Sequence, residues 1–134
     1  MAYIEWEDKY SVGVSLFDED HKKLIGYINR LNINILMNET ENVIKEVLSN
    51  LADYAMEHFK KEENAMVKYS YPHYFIHKRQ HDDFVKKVLQ LKKDYLAGNQ
   101  TIGIEVMAFL KDWLLAHILG TDMSYNKFFA GKEV

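Results

Sequence analysis

Residues Leu51–Glu62 read LADYAMEHFKKE. Leu51, Tyr54, Ala55 and Phe59 recur at spacings of three and four, the period of an α-helix with one apolar stripe. The same stripe carries His58 and, one turn further, Glu62. Polar groups on an otherwise apolar face must be paired inside the protein or bound to a metal, because burying them alone is costly. This segment therefore predicts a packed helix and marks a candidate site on it.

The helical period extends in both directions. Val43 and Val47 continue the stripe backwards. Other stripes run through Leu24, Ile25, Ile28, Leu31 and Ile35, through Phe84, Val85, Val88, Leu91 and Tyr95, and through Val106, Phe109, Leu110, Trp113 and Leu114. Breakers separate them. Asn38-Glu39-Thr40 ends the first, with Thr40 as an N-cap. Ser70-Tyr71-Pro72 separates the next two, with Pro72 near a helix start. Gly98-Asn99 closes the third, and Thr101 is placed to cap the fourth. Asp18, Glu19 and Asp20 put negative charge at the start of the first helix, where its dipole favours it. Four helices of about 20–25 residues with short connections predict an all-α, up-down-up-down four-helix bundle. Residues 1–18 contain Tyr3, Ile4, Trp6, Val12, Val14, Leu16 and Phe17, too apolar for a free tail, and are expected to pack across it. The expectation is one domain over 1–134, with the arm at 1–18 and the bundle at 19–129.

Composition narrows the chemistry. The chain has 134 residues, six His and no Cys. The lack of Cys excludes structural disulfides, thiolate zinc sites, iron–sulfur clusters and thiol catalysis. A metal here would have imidazole and carboxylate ligands, which suit Fe, Zn, Cu or Mn. The net charge of -3 is a poor match to nucleic acid or an anionic membrane. No apolar run approaches the roughly 18 residues of a spanning helix, so a cytoplasmic protein without membrane insertion is expected.

Five His lie on the stripes. His21 precedes Leu24 by about one turn, His77 and His81 precede Phe84, and His117 follows Trp113 and Leu114. Hairpin register tests whether they meet, since residues equally far from a turn lie at one height in an antiparallel pair. With the first turn between Glu39 and Thr40, His21 and His58 are equally distant from it. His58/Glu62 and His77/His81 are nearly equidistant from Ser70. His77/His81 and His117/Asp122 agree about Gln100 to within about two residues. All four helices thus bring polar groups to one layer, within roughly one turn of 5.4 Å. His73 falls nearer the loop and reads as a surface residue at a helix start.

Five residues separate His117 from Asp122, and a regular helix would splay them by roughly 140°. An irregular, π-like turn over 117–122 is predicted, made cheaper by Gly120. The inward set is then His21, His58, Glu62, His77, His81, His117 and Asp122. Seven ligands are too many for one tetrahedral zinc and suit two metals that share the carboxylates. Lys78-Arg79 and Lys86-Lys87, interleaved with Asp82 and Asp83, read as a solvated face. Met37, Met56, Met66, Met107 and Met123 read as packing.

These motifs resemble the hemerythrins, especially the single-domain bacterial ones. The resemblance spans nearly the whole chain: the Trp6 arm, Phe17-Asp18-Glu19-Asp20-His21, His58-x-x-x-Glu62, His77-x-x-x-His81 and His117-x4-Asp122. It implies a non-haem centre of two Fe ions, oxo- or hydroxo-bridged, that binds O2 reversibly. His77, His81 and His117 would hold one iron, and His21 and His58 the other. Glu62 and Asp122 would bridge them. Leu114 would line the O2 pocket. Tyr125, three residues after Asp122, is by its spacing a candidate to donate a hydrogen bond to a ligand. The implied role is O2 storage, transport or delivery and not catalysis, by a monomer that supplies an O2-consuming enzyme. A sensor of O2, NO or redox state, or an iron-handling protein with a separate partner, is the alternative. Five imidazoles with two carboxylates fit a carrier, whereas di-iron enzymes of the ferritin type use four carboxylates and two Glu-x-x-His motifs. The chain contains no Glu-x-x-His.

Overall fold

Four long helices carry the chain. The structure, a computed structural model, describes residues 3–98 and 103–134. Helix α1 spans Ser15–Leu36, α2 spans Glu41–Lys68, α3 spans Tyr74–Leu96 and α4 spans Gly103–Ala116. A π-helical turn, His117–Asp122, continues α4. A 3-10 turn at Met123–Tyr125 and a short α5, Asn126–Phe129, follow it. α2 packs between α1 and α3, and α4 packs on α1. Phe84 of α3 packs against Trp113 of α4, ring centroids 4.2 Å apart and planes tilted by 30°, which closes the ring of helices.

The turns follow local chemistry. Asn38 takes a left-handed conformation, φ 52°. The N–H of Asn38 then reaches the carbonyl of Ile35, and that of Glu39 the carbonyl of Asn34. This is a Schellman ending, with Asn tolerated at the left-handed position. Thr40 Oγ1 accepts from the Val43 N–H and opens α2 as expected. α2 ends the same way through Ser70, φ 56°, with Tyr71 N–H bonded to the Met66 carbonyl. Gly98, φ 94°, ends α3. Asn99 and Thr101 lie outside the described residues.

The arm is pinned to the bundle at both ends. Asn29 of α1 accepts from the Ile4 N–H at 2.8 Å and donates to the Ile4 carbonyl at 2.9 Å. Asn126 donates to the Val12 carbonyl at 2.7 Å. Ile4, Tyr10 and Val12 are buried in the common core. α1 starts at Ser15, inside the stretch assigned to the arm, so only Asp18 of the three acidic residues lies in its first turn. The Asp18 carboxylate accepts from the Val12 N–H and the Ser11 hydroxyl, which fixes the entry of the chain into the helix. Asp20 lies deeper in α1 and is buried. Met66 and Met107 pack in the core, but Met37 and Met56 are exposed, one just past the end of α1 and the other on the outer face of α2. Among the described residues, no helix is long and apolar enough to cross a membrane.

Candidate metal centre

The stripes place every one of the seven expected residues inside the bundle, in one layer. His21 comes from α1, His58 and Glu62 from α2, His77 and His81 from α3, and His117 and Asp122 from the π turn. All are at most 4% exposed. His73 is exposed and packs edge-on against Tyr71.

The π turn does what the five-residue spacing requires: it puts His117 and Asp122 on one side of the segment. Gly120 is not the reason. Its backbone φ is not positive, and a Cβ there would meet nothing within 4 Å. The turn is held instead by side chains. Ser124 donates to the Gly120 carbonyl at 3.0 Å, and Thr121 donates to Gln80 Oε1 at 2.7 Å.

The donor atoms fall into two groups. Ligating atoms of Glu62, His77, His81, His117 and Asp122 lie within 4.8 Å of one another, and so do those of His21, His58 and Glu62. In the first group, His77 Nε2 is 2.8 Å and His117 Nε2 3.0 Å from Asp122 Oδ1. His81 Nε2 is 3.1 Å from Glu62 Oε1 and 3.1 Å from His117 Nε2. In the second group, His21 Nε2 is 3.5 Å and His58 Nε2 3.3 Å from Glu62 Oε2, and His21 Nε2 is 3.2 Å from Asp122 Oδ2. Each carboxylate thus turns one oxygen to each group. A six-coordinate ion with bonds near 2.1 Å would set neighbouring donors about 3.0 Å apart, close to the spacings of the first group.

Unpaired atoms point the same way. His58 Nε2, His77 Nε2, Glu62 Oε1 and both Asp122 carboxylate oxygens are buried without a hydrogen-bond partner among the described residues. Buried polar atoms left this way are costly unless a cation satisfies them. The donor set therefore fits two metal ions.

Electrostatics in the metal-free chain follow from this crowding. Burial pushes His21 down, but Asp122 and Glu62 beside it outweigh burial and hold it up at about 10. His77 is held up at about 9 against burial by the same two carboxylates. Burial raises Glu62, yet the surrounding imidazoles, His58 first, hold it well below the usual range. Asp122 is lowered in the same way against burial and the repulsion of Glu62. Burial dominates at His117 and lowers it.

Around this layer lies an aromatic shell. Phe59 stacks on His81 at 3.9 Å and Trp113 on His117 at 4.4 Å. Phe17 meets His58 edge-on at 5.8 Å. Leu114 is buried, one turn before His117. Tyr125, fully buried, donates to Glu62 Oε2. Three residues with no assigned role hold imidazoles from behind. Asp20 meets His58 Nδ1 at 2.9 Å, Glu63 meets His81 Nδ1 at 2.8 Å and Gln80 meets His117 Nδ1 at 2.9 Å. For Glu63 and Gln80 the signal in the sequence is adjacency alone, next to Glu62 and His81, and Asp20, next to His21, carries in addition only the expectation of a helix-start charge and a place in the Phe17–His21 motif.

Residues 12–129 match the model of the hemerythrin HHE cation binding domain. The chain is 33% identical over 125 residues to a bacteriohemerythrin of Stenotrophomonas maltophilia, covering 93% of this chain and 80% of that protein. A hemerythrin-like protein of Naegleria gruberi is 36% identical over 121 residues, 90% of this chain and 89% of that protein. A crystal structure of wild-type hemerythrin superposes with a TM-score of 0.84 at 30% identity, covering 94% of this chain and 97% of that one. A variant of hemerythrin with a leucine changed to alanine gives a TM-score of 0.85. The helix order, the convergent His, Glu and Asp side chains and these likenesses agree, and the chain belongs to the hemerythrin family.

Proposed function

We propose that this chain binds O2 reversibly at a non-haem di-iron centre and acts in O2 storage, transport or delivery, without catalytic turnover. The observation that carries the reading is the division of Glu62 and Asp122, each with one oxygen toward each group of imidazoles. That division suits two bridged ions. His77, His81 and His117 would hold one iron, and His21 and His58 the other. The iron pair, when bound, supplies the reversible two-electron chemistry that holds O2.

The chain's own residues set the conditions for it. The His21/His58 side has one imidazole fewer, so the small ligand has room there. Leu114, buried one turn before His117, would supply an apolar wall that keeps water and protons from the centre. Tyr125 holds Glu62 in orientation through its hydroxyl. Two carboxylates among five neutral imidazoles favour holding O2 over activating it.

Anaerobic reconstitution with Fe2+, followed by air, tests the reading. Two irons and one O2 should be taken up per chain, with a visible band that disappears on deoxygenation. Uptake of a single ion, or irreversible oxidation with no oxygenated band, would overturn it. Sustained turnover of peroxide or NO would replace carriage with catalysis.

A further inference from the structure

The five imidazoles are not held alike. In the three-histidine group, His81 is anchored by the Glu63 carboxylate and His117 by the Gln80 amide oxygen. The Nδ1 of His77 has no partner among the described residues. In the two-histidine group, His21 Nδ1 also lacks one, so among the described residues the bond from His58 to Asp20 is the single anchor of that group. A carboxylate only accepts hydrogen bonds. It therefore fixes His58 as the Nδ1–H tautomer and keeps the Nε2 lone pair facing inward.

Asp20 is itself held firmly. Tyr54 donates to its Oδ1 at 2.7 Å, and Lys61 donates to its Oδ2 at 3.4 Å. Asp20 is 3% exposed, and the Lys61 ammonium ties it to the surface. Its neighbours on α2, Tyr54, His58 and Lys61, recur at spacings of three and four, so one face of α2 clamps one carboxylate of α1.

We propose that Asp20 is the positioning residue of the His21/His58 half, and that the two halves load with metal in separate steps, the three-histidine half first. The inference rests on the two-metal reading of the centre. The order follows from the donors. The first half offers three imidazoles, two of them anchored, and two carboxylate oxygens. The second offers two imidazoles, one anchored, with the remaining oxygens. Removing an outer partner of a metal-binding imidazole weakens metal affinity about 10–100-fold, and that loss should appear in the second step alone.

Co2+ is the probe, titrated anaerobically into metal-free protein and followed by its visible bands, with bound metal counted by dialysis. The wild-type chain should take up two ions in two resolved steps. Asp20→Ala should leave the first step within about twofold and weaken the second about 10–100-fold. Asp20→Asn keeps an acceptor for His58 and should weaken the second step less, which also covers failure of the alanine variant to fold. Glu63→Gln should act on the first step only. At a Zn2+ concentration that just saturates the wild type, the 15N shifts of His58 should show a metal-bound Nε2 in the wild type and a fraction with Nε2 unbound in Asp20→Ala. Equal weakening of both steps by Asp20→Ala, or none, would overturn the proposal. Wild-type uptake of fewer than two ions would overturn it together with the two-metal reading. Failure to bind O2 while both Co2+ steps persist would overturn the O2 reading alone.

Discussion

Tyr125→Phe isolates a single hydroxyl. The ring is fully buried and packs on Phe17, His77 and Phe129 at 5.7, 5.7 and 5.0 Å, contacts that phenylalanine keeps. What disappears is the bond from the hydroxyl to Glu62 Oε2, with both ends buried and the acceptor charged. A hydrogen bond to a charged group contributes about 1.5–3 kcal/mol. Unfolding entropy of about 2.1 cal/mol/K per residue gives about 0.28 kcal/mol/K for 134 residues. The melting temperature of the metal-free chain should therefore fall by about 5–11 °C. Thermal unfolding followed by circular dichroism at neutral pH measures it. Infrared spectroscopy should show the carboxylate stretch of Glu62 move as its donor is lost. A fall under about 2 °C with an unmoved carboxylate band would refute the assignment of this hydroxyl to Glu62 and the magnitude drawn from it.

Other outcomes follow from the same layer. Leu114→Ala should cost about 2–5 kcal/mol as a buried cavity, leave iron uptake intact and hasten autoxidation; an unchanged autoxidation rate would remove Leu114 from the pocket wall. Gly120→Ala should fold with an undiminished melting temperature, because no positive φ and no close neighbour oppose a Cβ there; a marked loss would show that the π turn needs glycine. The metal-free chain should be most stable in mildly acidic solution. His21 and His77 have folded values near 10 and 9, above the unfolded value of about 6.5. Their stabilisation is complete below that unfolded value and is lost as pH rises through 9 to 10. Glu62 and Asp122 are lowered, so their stabilisation is present above about pH 4 and is lost on acidification. Melting curves of the metal-free chain from pH 4 to 10 would contradict this if they were flat on the alkaline side.

The four helices, the residues that share the inner layer and the need for an irregular turn between His117 and Asp122 can all be read from the amino-acid order. These are legible because helical periodicity is local and hairpin register is a matter of counting from the turns. Spacings of three, four and five along a helix depend on little else. How the carboxylates divide their oxygens between two groups, and which residues stand behind the imidazoles, depend on the packed fold. Asp20 meets a ring 38 positions away, Gln80 one 37 positions away, and Tyr125 a carboxylate 63 positions away. Asp20 reads in the sequence as a helix-start charge, but α1 begins at Ser15 and Asp20 lies a turn further in, buried. Gly120 is the one residue in the irregular turn that the sequence marks as easing it, whereas Thr121 and Ser124 hold it through contacts that no periodicity reveals. A stripe shows which face of a helix turns inward. The atom that each side chain meets there depends on the rotation and separation of neighbouring helices, which packing sets for all of them at once.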